Sequence, residues 1–152
     1  MPVPQGTLYR EPNLGLGHIA DTSIQQVFTE PAAEEIQYGA PLAYTTDGEA
    51  VKTAGTADKV IGIARAFEGK MNDFGGFGTE QAGGTFQKDE AVSVLTTGSI
   101  VVAVSADVEK GQAAVVDADG KFKAAGTEAT TTVGVFRTAG TAGKTAVLHI
   151  NL

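Results

Sequence analysis

"TTDGEAVKTAGT" at residues 45–56 returns, reworded, as "DADGKFKAAGT" at residues 117–127. Gly39, Asp47, Gly48, Gly62 and Arg65 recur as Gly111, Asp119, Gly120, Gly134 and Arg137, each 72 positions later. Between those anchors "KTAGT" at 52–56 and "KAAGT" at 123–127 match at an offset of 71, so one slipped residue is absorbed in each loop. Each copy reads as a strand, a turn at Asp-Gly, a short strand, an Ala-Gly-Thr loop and a second full strand, "VIGIAR" or "TVGVFR". Asp-Gly is a strong hairpin signal, because Gly tolerates positive φ and the Asp side chain can bond the backbone of the turn.

Outward from the two copies the pattern stays β. "AVSVLTT" and "SIVVAVS" are branched runs hinged at Gly98, and "TAVLHIN" closes the chain. With "APLAYTT", "EAVKT", "VIGIARA", "QAAVVDA", "KFKA" and "TTVGVFR" these give nine expected strands, spaced as in sandwiches and barrels. No stretch after residue 38 sustains an apolar period of 3.6. Two units are too few for a solenoid, so the expectation is an all-β, jelly-roll-like sandwich or barrel whose halves are the two copies.

Residues 1–37 differ in kind and are expected to form an extended N-terminal arm, leaving 38–152 as one β domain. Pro2, Pro4 and Pro12 impose extended backbone, while Leu8, Tyr9, Leu14, Leu16 and Ile19 are apolar with no strand partner implied nearby. "EPAAEEI" at 30–36 predicts a helical turn, with Pro31 near its first position. The other irregular stretch, 68–86, carries six glycines and Phe74, Phe77 and Phe86, and predicts a long loop between strands. Its aromatics are either tucked beneath it or held for a partner.

A chain of 152 residues and 15.5 kDa suits one domain, which buries roughly 70% of the surface of its unfolded form. With no Trp and 7% aromatics, the core must be built mainly from Val, Ile, Leu and Ala. A net charge of −7 repels phosphate backbones and anionic lipid, so neither nucleic acid nor membrane is an expected partner. Absence of cysteine removes disulfides, thiol nucleophiles and Cys-ligated zinc. "MPVPQGTLYREP" lacks the basic and apolar regions of a signal peptide, and the expectation is synthesis in the cytoplasm.

Catalytic chemistry is hard to find. His18 and His149 have no neighbouring ligand at metal spacing. His149 alternates with Leu148 and Ile150, and reads as a partly exposed or hydrogen-bonded strand residue. "DADGKFKAAGTE" puts Asp117, Asp119 and Glu128 at positions one, three and twelve of a calcium loop, but Lys121 and Phe122 stand where an oxygen ligand and a Gly are required. A hairpin turn explains it better. "DFG" at 73–75 has no kinase companions, "GGFGTEQAGG" lacks the Lys of a phosphate loop, and no serine sits in a G-x-S-x-G elbow. No metal, cofactor or enzyme activity is expected.

What remains is a rigid body with an apolar arm and a glycine-rich loop, which favours work by contact. The order and spacing of "GHIAD" (17–21), "IQYGAPLAY" (36–44), "VIGIA" (60–64), "AVSVLTTGSIVVAVSADVEKGQAAVV" (91–116) and "FRTAGTAGKTAVLHINL" (136–152) resemble the structural cement, or capsid decoration, proteins of tailed bacteriophages. The likeness covers nearly the whole chain, although Gln112 stands where an acidic residue often follows the Gly and the 68–86 loop is long for that family. The resemblance implies a non-enzymatic protein of the virion's outer capsid surface that bridges major capsid subunits and self-associates, as a homodimer rather than a homotrimer. Contact candidates are Leu8, Tyr9, Leu14, Leu16 and Ile19 on the arm, with Phe74 and Phe77 on the loop. The alternative is a β-sandwich adhesion or receptor-binding module, against which the lack of Trp and the three Tyr count.

Overall fold

The structure is a computed structural model that describes residues 15–66, 84–127 and 131–152. Among these residues eleven strands follow one another: β1 (Gln26–Pro31), β2 (Ile36–Gln37), β3 (Pro41–Tyr44), β4 (Val51–Thr53), β5 (Gly62–Arg65), β6 (Thr85–Phe86), β7 (Ala91–Ala103), β8 (Ala113–Val116), β9 (Phe122–Ala124), β10 (Gly134–Phe136) and β11 (Thr145–Asn151). The main sheet runs β4-β3-β5-β7-β11-β10-β8-β9, with β1 also paired to β7, and β2 pairs with β6 separately. The Asp119–Gly120 turn brings its Gly120 within reach of Thr53 and Ala40, so one end of the sheet curls round to touch the other. The chain is all-β, a curled half-barrel of the sandwich or barrel class.

The repeat is reproduced bond for bond. The Gly39 and Gly111 N–H groups each donate over 2.8 Å, to the Ala64 and Phe136 carbonyls. Ile61 N–H to Leu42 and Val133 N–H to Ala114 are both 2.9 Å, and Ala54 N–H to Pro41 matches Ala125 N–H to Ala113 with the slipped residue between. Each copy therefore occupies one end of the sheet, β4-β3-β5 at one and β10-β8-β9 at the other.

The equivalence reaches beyond the stretch in which the sequence repeats. β5 pairs with the first half of β7 as β10 pairs with β11: Ile63 faces Leu95 and Ala64 faces Val94, as Val135 faces His149 and Phe136 faces Leu148. Similarly, β1 pairs with the first half of β7 as the second half of β7 pairs with β11, Phe28 to Val94 matching Ile100 to Leu148. The structural unit is therefore residues 26–97, and residues 98–151 are its second copy. Unit one contains the glycine-rich segment, for which unit two has no counterpart.

This revises three expectations. β7 is one continuous strand of 13 residues and not two hinged at Gly98, which bends it with φ 138°. β1 and β2 emerge from the stretch read as an arm. The helical turn at 30–36 does not form: Pro31 ends β1, Ala32 bridges to Val51, and Ile36 begins β2.

Alternation along the strands places one apolar cluster in each unit. Ala32, Ile36, Leu42, Val51, Ala64 and Val94 belong to the cluster of unit one. Their counterparts Val104, Val108, Ala114, Phe122, Phe136 and Leu148 belong to that of unit two, which Ile63 and Leu95 also join. Sizes trade between copies, with Leu42 opposite Ala114 in the comparison and Val51 opposite Phe122, so each core fills by its own combination. Each large apolar side chain so buried stabilises the fold by roughly 1.5–3 kcal/mol.

Two glycines are fixed by crowding. A Cβ on Gly62 would stand 2.6 Å from the Leu95 carbonyl oxygen, and one on Gly134 would collide with that of His149. The strands that end the main path, β4 and β9, are each covered, because Ala33 N–H donates to the Val51 carbonyl at 2.8 Å and Ser105 N–H to that of Phe122 at 3.0 Å. Capping β4 and β9 in this way removes a template for uncontrolled strand pairing.

Candidate interaction surface

Of the arm residues singled out above, Leu16 and Ile19 lie within the described part. Leu16 is half-buried against the cluster of unit one, and Ile19 is half-buried against that of unit two, bridged to Ile100. Both are seated on the chain's own core. Leu8, Tyr9 and Leu14, with Phe74 and Phe77 of the loop, lie outside the described residues. Phe86 is fully buried, its ring 5.0 Å from that of Tyr38 in an edge-on contact.

Among the described residues the exposed large apolar side chains are others: Ile24, Val27, Tyr44, Val135 and Leu152. Ile24 leads into β1 with its carbonyl beside Gly98, Val27 lies on β1, and the Tyr44 hydroxyl donates to Glu30 of β1 at 3.0 Å. Three of the five therefore gather along one strand. Leu152 is tied beside them, its N–H donating to the Thr96 carbonyl at 2.9 Å while the Thr96 hydroxyl donates to that of Gln26 at 3.2 Å. No sequence signal marks this strand: in "SIQQVFTE" the apolar residues stand at 24, 27 and 28, without the period-two alternation of a half-buried strand.

β1 has one paired edge and one open edge. Ala64 turns its backbone groups to Gly39 and Ala40, so Ile63 and Arg65 meet Leu95 and Ser93, and β7 is left to face Phe28 and Glu30 with Val94 and Val92. The Val27 carbonyl and both backbone groups of Thr29 then point away from the sheet, and none has a hydrogen-bond partner among the described residues. The matching edge in unit two is occupied. There Gly17 N–H donates to Val101 (2.9 Å), Val101 N–H to His18 (3.0 Å) and Ala20 N–H to Ser99 (2.9 Å).

The polar chemistry is local and structural. Ser99, fully buried, has its Oγ 3.0 Å from His149 Nδ1 and 3.5 Å from Ser23 Oγ. Burial works against ionisation of Asp21 beside them, but hydrogen bonds from Ser23 and Ser99 outweigh it and hold the carboxyl below its usual range. In this chain of contacts Ser99 is the central group, walled off from solvent, which is no arrangement for a nucleophile. Asp117 takes hydrogen bonds from Ser105 (2.5 Å) and Lys123 (3.1 Å), which lower its pKa, and the Asp119–Gly120 turn above it is left-handed at both residues (φ 61° and 70°). That is hairpin geometry. An open hollow of about 280 Å³ by Ala113, Val135 and Leu152 has His149 as its one ionisable side chain. Among the described residues no three His, Asp or Glu side chains converge as metal ligands, and no helix is long and apolar enough to cross a membrane.

With this geometry in hand, comparison with known proteins is decisive. Residues 4–151 match the phage cement family, described as "Structural cement protein (E217 gp24/Pam3 gp6)". The chain belongs to the structural cement proteins of bacteriophages. It is thus a capsid-associated structural protein of a virion. Two solved structures share the fold: the head fiber gp8.5 N base of bacteriophage phi29, at 17% identity and TM-score 0.50 over 84% of this chain and 95% of that one, and a chain from the capsid of Myoviridae phage XM1, at 17% identity and TM-score 0.53 over 91% of each. No curated protein matches.

Proposed function

We propose that this cement protein binds the exterior of an expanded icosahedral shell, bridges neighbouring major capsid proteins and stabilises the shell against internal pressure. The match to the cement family along almost the entire chain carries the reading. The physical features agree with it. A net charge of −7 disfavours contact with the packaged nucleic acid and with membranes, and leaves protein as the partner. A body closed by two cores holds its contacts rigidly, while the N-terminal arm, with Leu8, Tyr9 and Leu14, reaches a neighbour. Weak contacts of single copies add up through symmetric placement on the lattice. No step of this work requires a bond to be made or broken.

Purified protein added to expanded, undecorated shells tests the reading. Saturable, stoichiometric binding with a rise in the shell's melting temperature is expected; absence of saturable binding would overturn it. Glycan-array binding without shell binding would move the assignment to an adhesion module.

A further inference from the structure

We propose that the open edge of β1 is a docking site for an extended strand, and that its occupant is the N-terminal arm of a second copy of this chain. The duplication supplies the argument. Ser99 and Val101 on β7 are the counterparts of Val27 and Thr29 on β1, and that edge of β7 is filled by this chain's own Gly17–Ala20. The same backbone pattern on β1 is empty of partners. One unit thus displays, in its occupied form, what the other offers.

The surroundings fit a bound strand. Val27 is 41% exposed and Ile24 79%, whereas the counterpart of Val27, Ser99, is fully buried beneath its neighbours. An added strand would cover the apolar side chains as it satisfies the Val27 carbonyl and the Thr29 N–H and carbonyl, the mode by which exposed sheet edges capture peptides. Residues 1–14 immediately precede the segment that fills the equivalent edge. Within them Pro4 and Pro12 bracket a proline-free stretch, Gln5–Glu11, able to donate along its length and bearing Leu8 and Tyr9. Residues 17–20 and β1 follow one another along the same edge of β7, both antiparallel to it, so the chain enters at Gly17 on the end remote from β1, and the arm that fills the β1 edge is drawn from a second molecule. Reciprocal exchange would give a two-fold pair.

The proposal deepens the reading of the arm given above, but its test uses no shells, so its failure and loss of shell binding are separate results. Because the protein has no cysteine, a single introduced pair reports the contact. Full-length Leu8→Cys or Tyr9→Cys, whose side chains would leave an extended strand on opposite faces, is mixed with full-length Val27→Cys and oxidised. A disulfide-linked heterodimer is expected from at least one mixture. Adding Thr29→Pro to the Val27→Cys chain removes the outward N–H and should lower the yield at least tenfold, with an unchanged far-UV spectrum. Sedimentation velocity should show the native chain self-associating and Thr29→Pro doing so at least tenfold more weakly. No heterodimer in either mixture would overturn the proposal. So would a double variant, Leu8→Cys with Val27→Cys, that closes only within one chain, which would assign the edge to the chain's own arm.

Discussion

Asp89 occupies, at φ 67°, the place that Gly143 takes at φ 78° in the second unit. The two N–H groups make equivalent bonds, to the Ala32 carbonyl at 2.8 Å and to the Val104 carbonyl at 3.0 Å. A left-handed non-glycine residue costs about 1–2 kcal/mol, and glycine costs about 0.4–1 kcal/mol through the freedom of the unfolded chain. Asp89→Gly should therefore stabilise the protein by roughly 0.5 kcal/mol. Gly143→Asp should destabilise it by a similar amount. Urea midpoints of the two variants check the pair.

Gly62→Ala and Gly134→Ala should each destabilise by roughly 2–3 kcal/mol or more, since the new methyl group meets a neighbouring strand's carbonyl that cannot withdraw without breaking its ladder. Gly126→Ala is the control. Nothing lies within 4 Å of its Cβ position, so its effect should stay within about 0.5 kcal/mol. Equal losses at the three sites in chemical denaturation would contradict this account of the duplicated glycine.

Asp117 links stability to pH. Hydrogen bonds from Ser105 and Lys123 lower its pKa in the folded state. In the interval between the folded and unfolded pKa values the unfolded chain binds more protons, so stability rises with pH. The contribution is complete above the ordinary Asp value of about 4 and disappears as pH falls through the lower folded value. Asp117→Asn should therefore flatten the acid limb of a stability profile below about pH 4 while lowering stability at neutral pH. Thermal melts across that range measure it.

Phe122 is fully buried in the cluster of unit two, on the strand that ends the sheet. Phe122→Ala should cost about 3–5 kcal/mol, read as a fall in the urea midpoint. Hydrogen exchange on that variant should quicken first in β8, β9 and β10, which share the cluster, and later in β3 and β4.

Removing residues 1–14 should leave the melting temperature of the body nearly unchanged and abolish binding to expanded shells. The cut ends before Leu16, whose packing against the cluster of unit one belongs to the fold. Undiminished shell affinity would move the main contact to the glycine-rich segment and its Phe74 and Phe77.

The duplication was visible in the sequence at Gly39, Gly62, Gly111 and Gly134 because backbone crowding and turn geometry there dictate the residue type. Where geometry is permissive the copies diverged. Phe28 and Ile100 hold the same place in the two units, as do Glu30 and Val102, and neither pair shares an identity, so the kinship of β1 with half of β7 could not be read. Gly98 suggested a break between strands, since glycine weakens a strand interior; bending through it while the ladder continues to Asn151 and Thr145 depends on the partner strand. Leu16 and Ile19 looked free for want of a local partner, and it is the fold that brings Ile100 to Ile19. Exposure of Ile24 and Val27 is likewise a property of the assembled sheet.

Thr97 is paired with Gln26 on β1 and also with Asn151 on β11. The first and last strands thus converge on one rung. Tension applied between the arm and the C-terminus would be met on β7 itself, by the bonds of Gly17–Ala20 to Val101 and Ser99 on one side and by β11 on the other, and leave the outer strands slack. Stretched between its two ends, the molecule would keep its shape until β7 parts from one of these two neighbours.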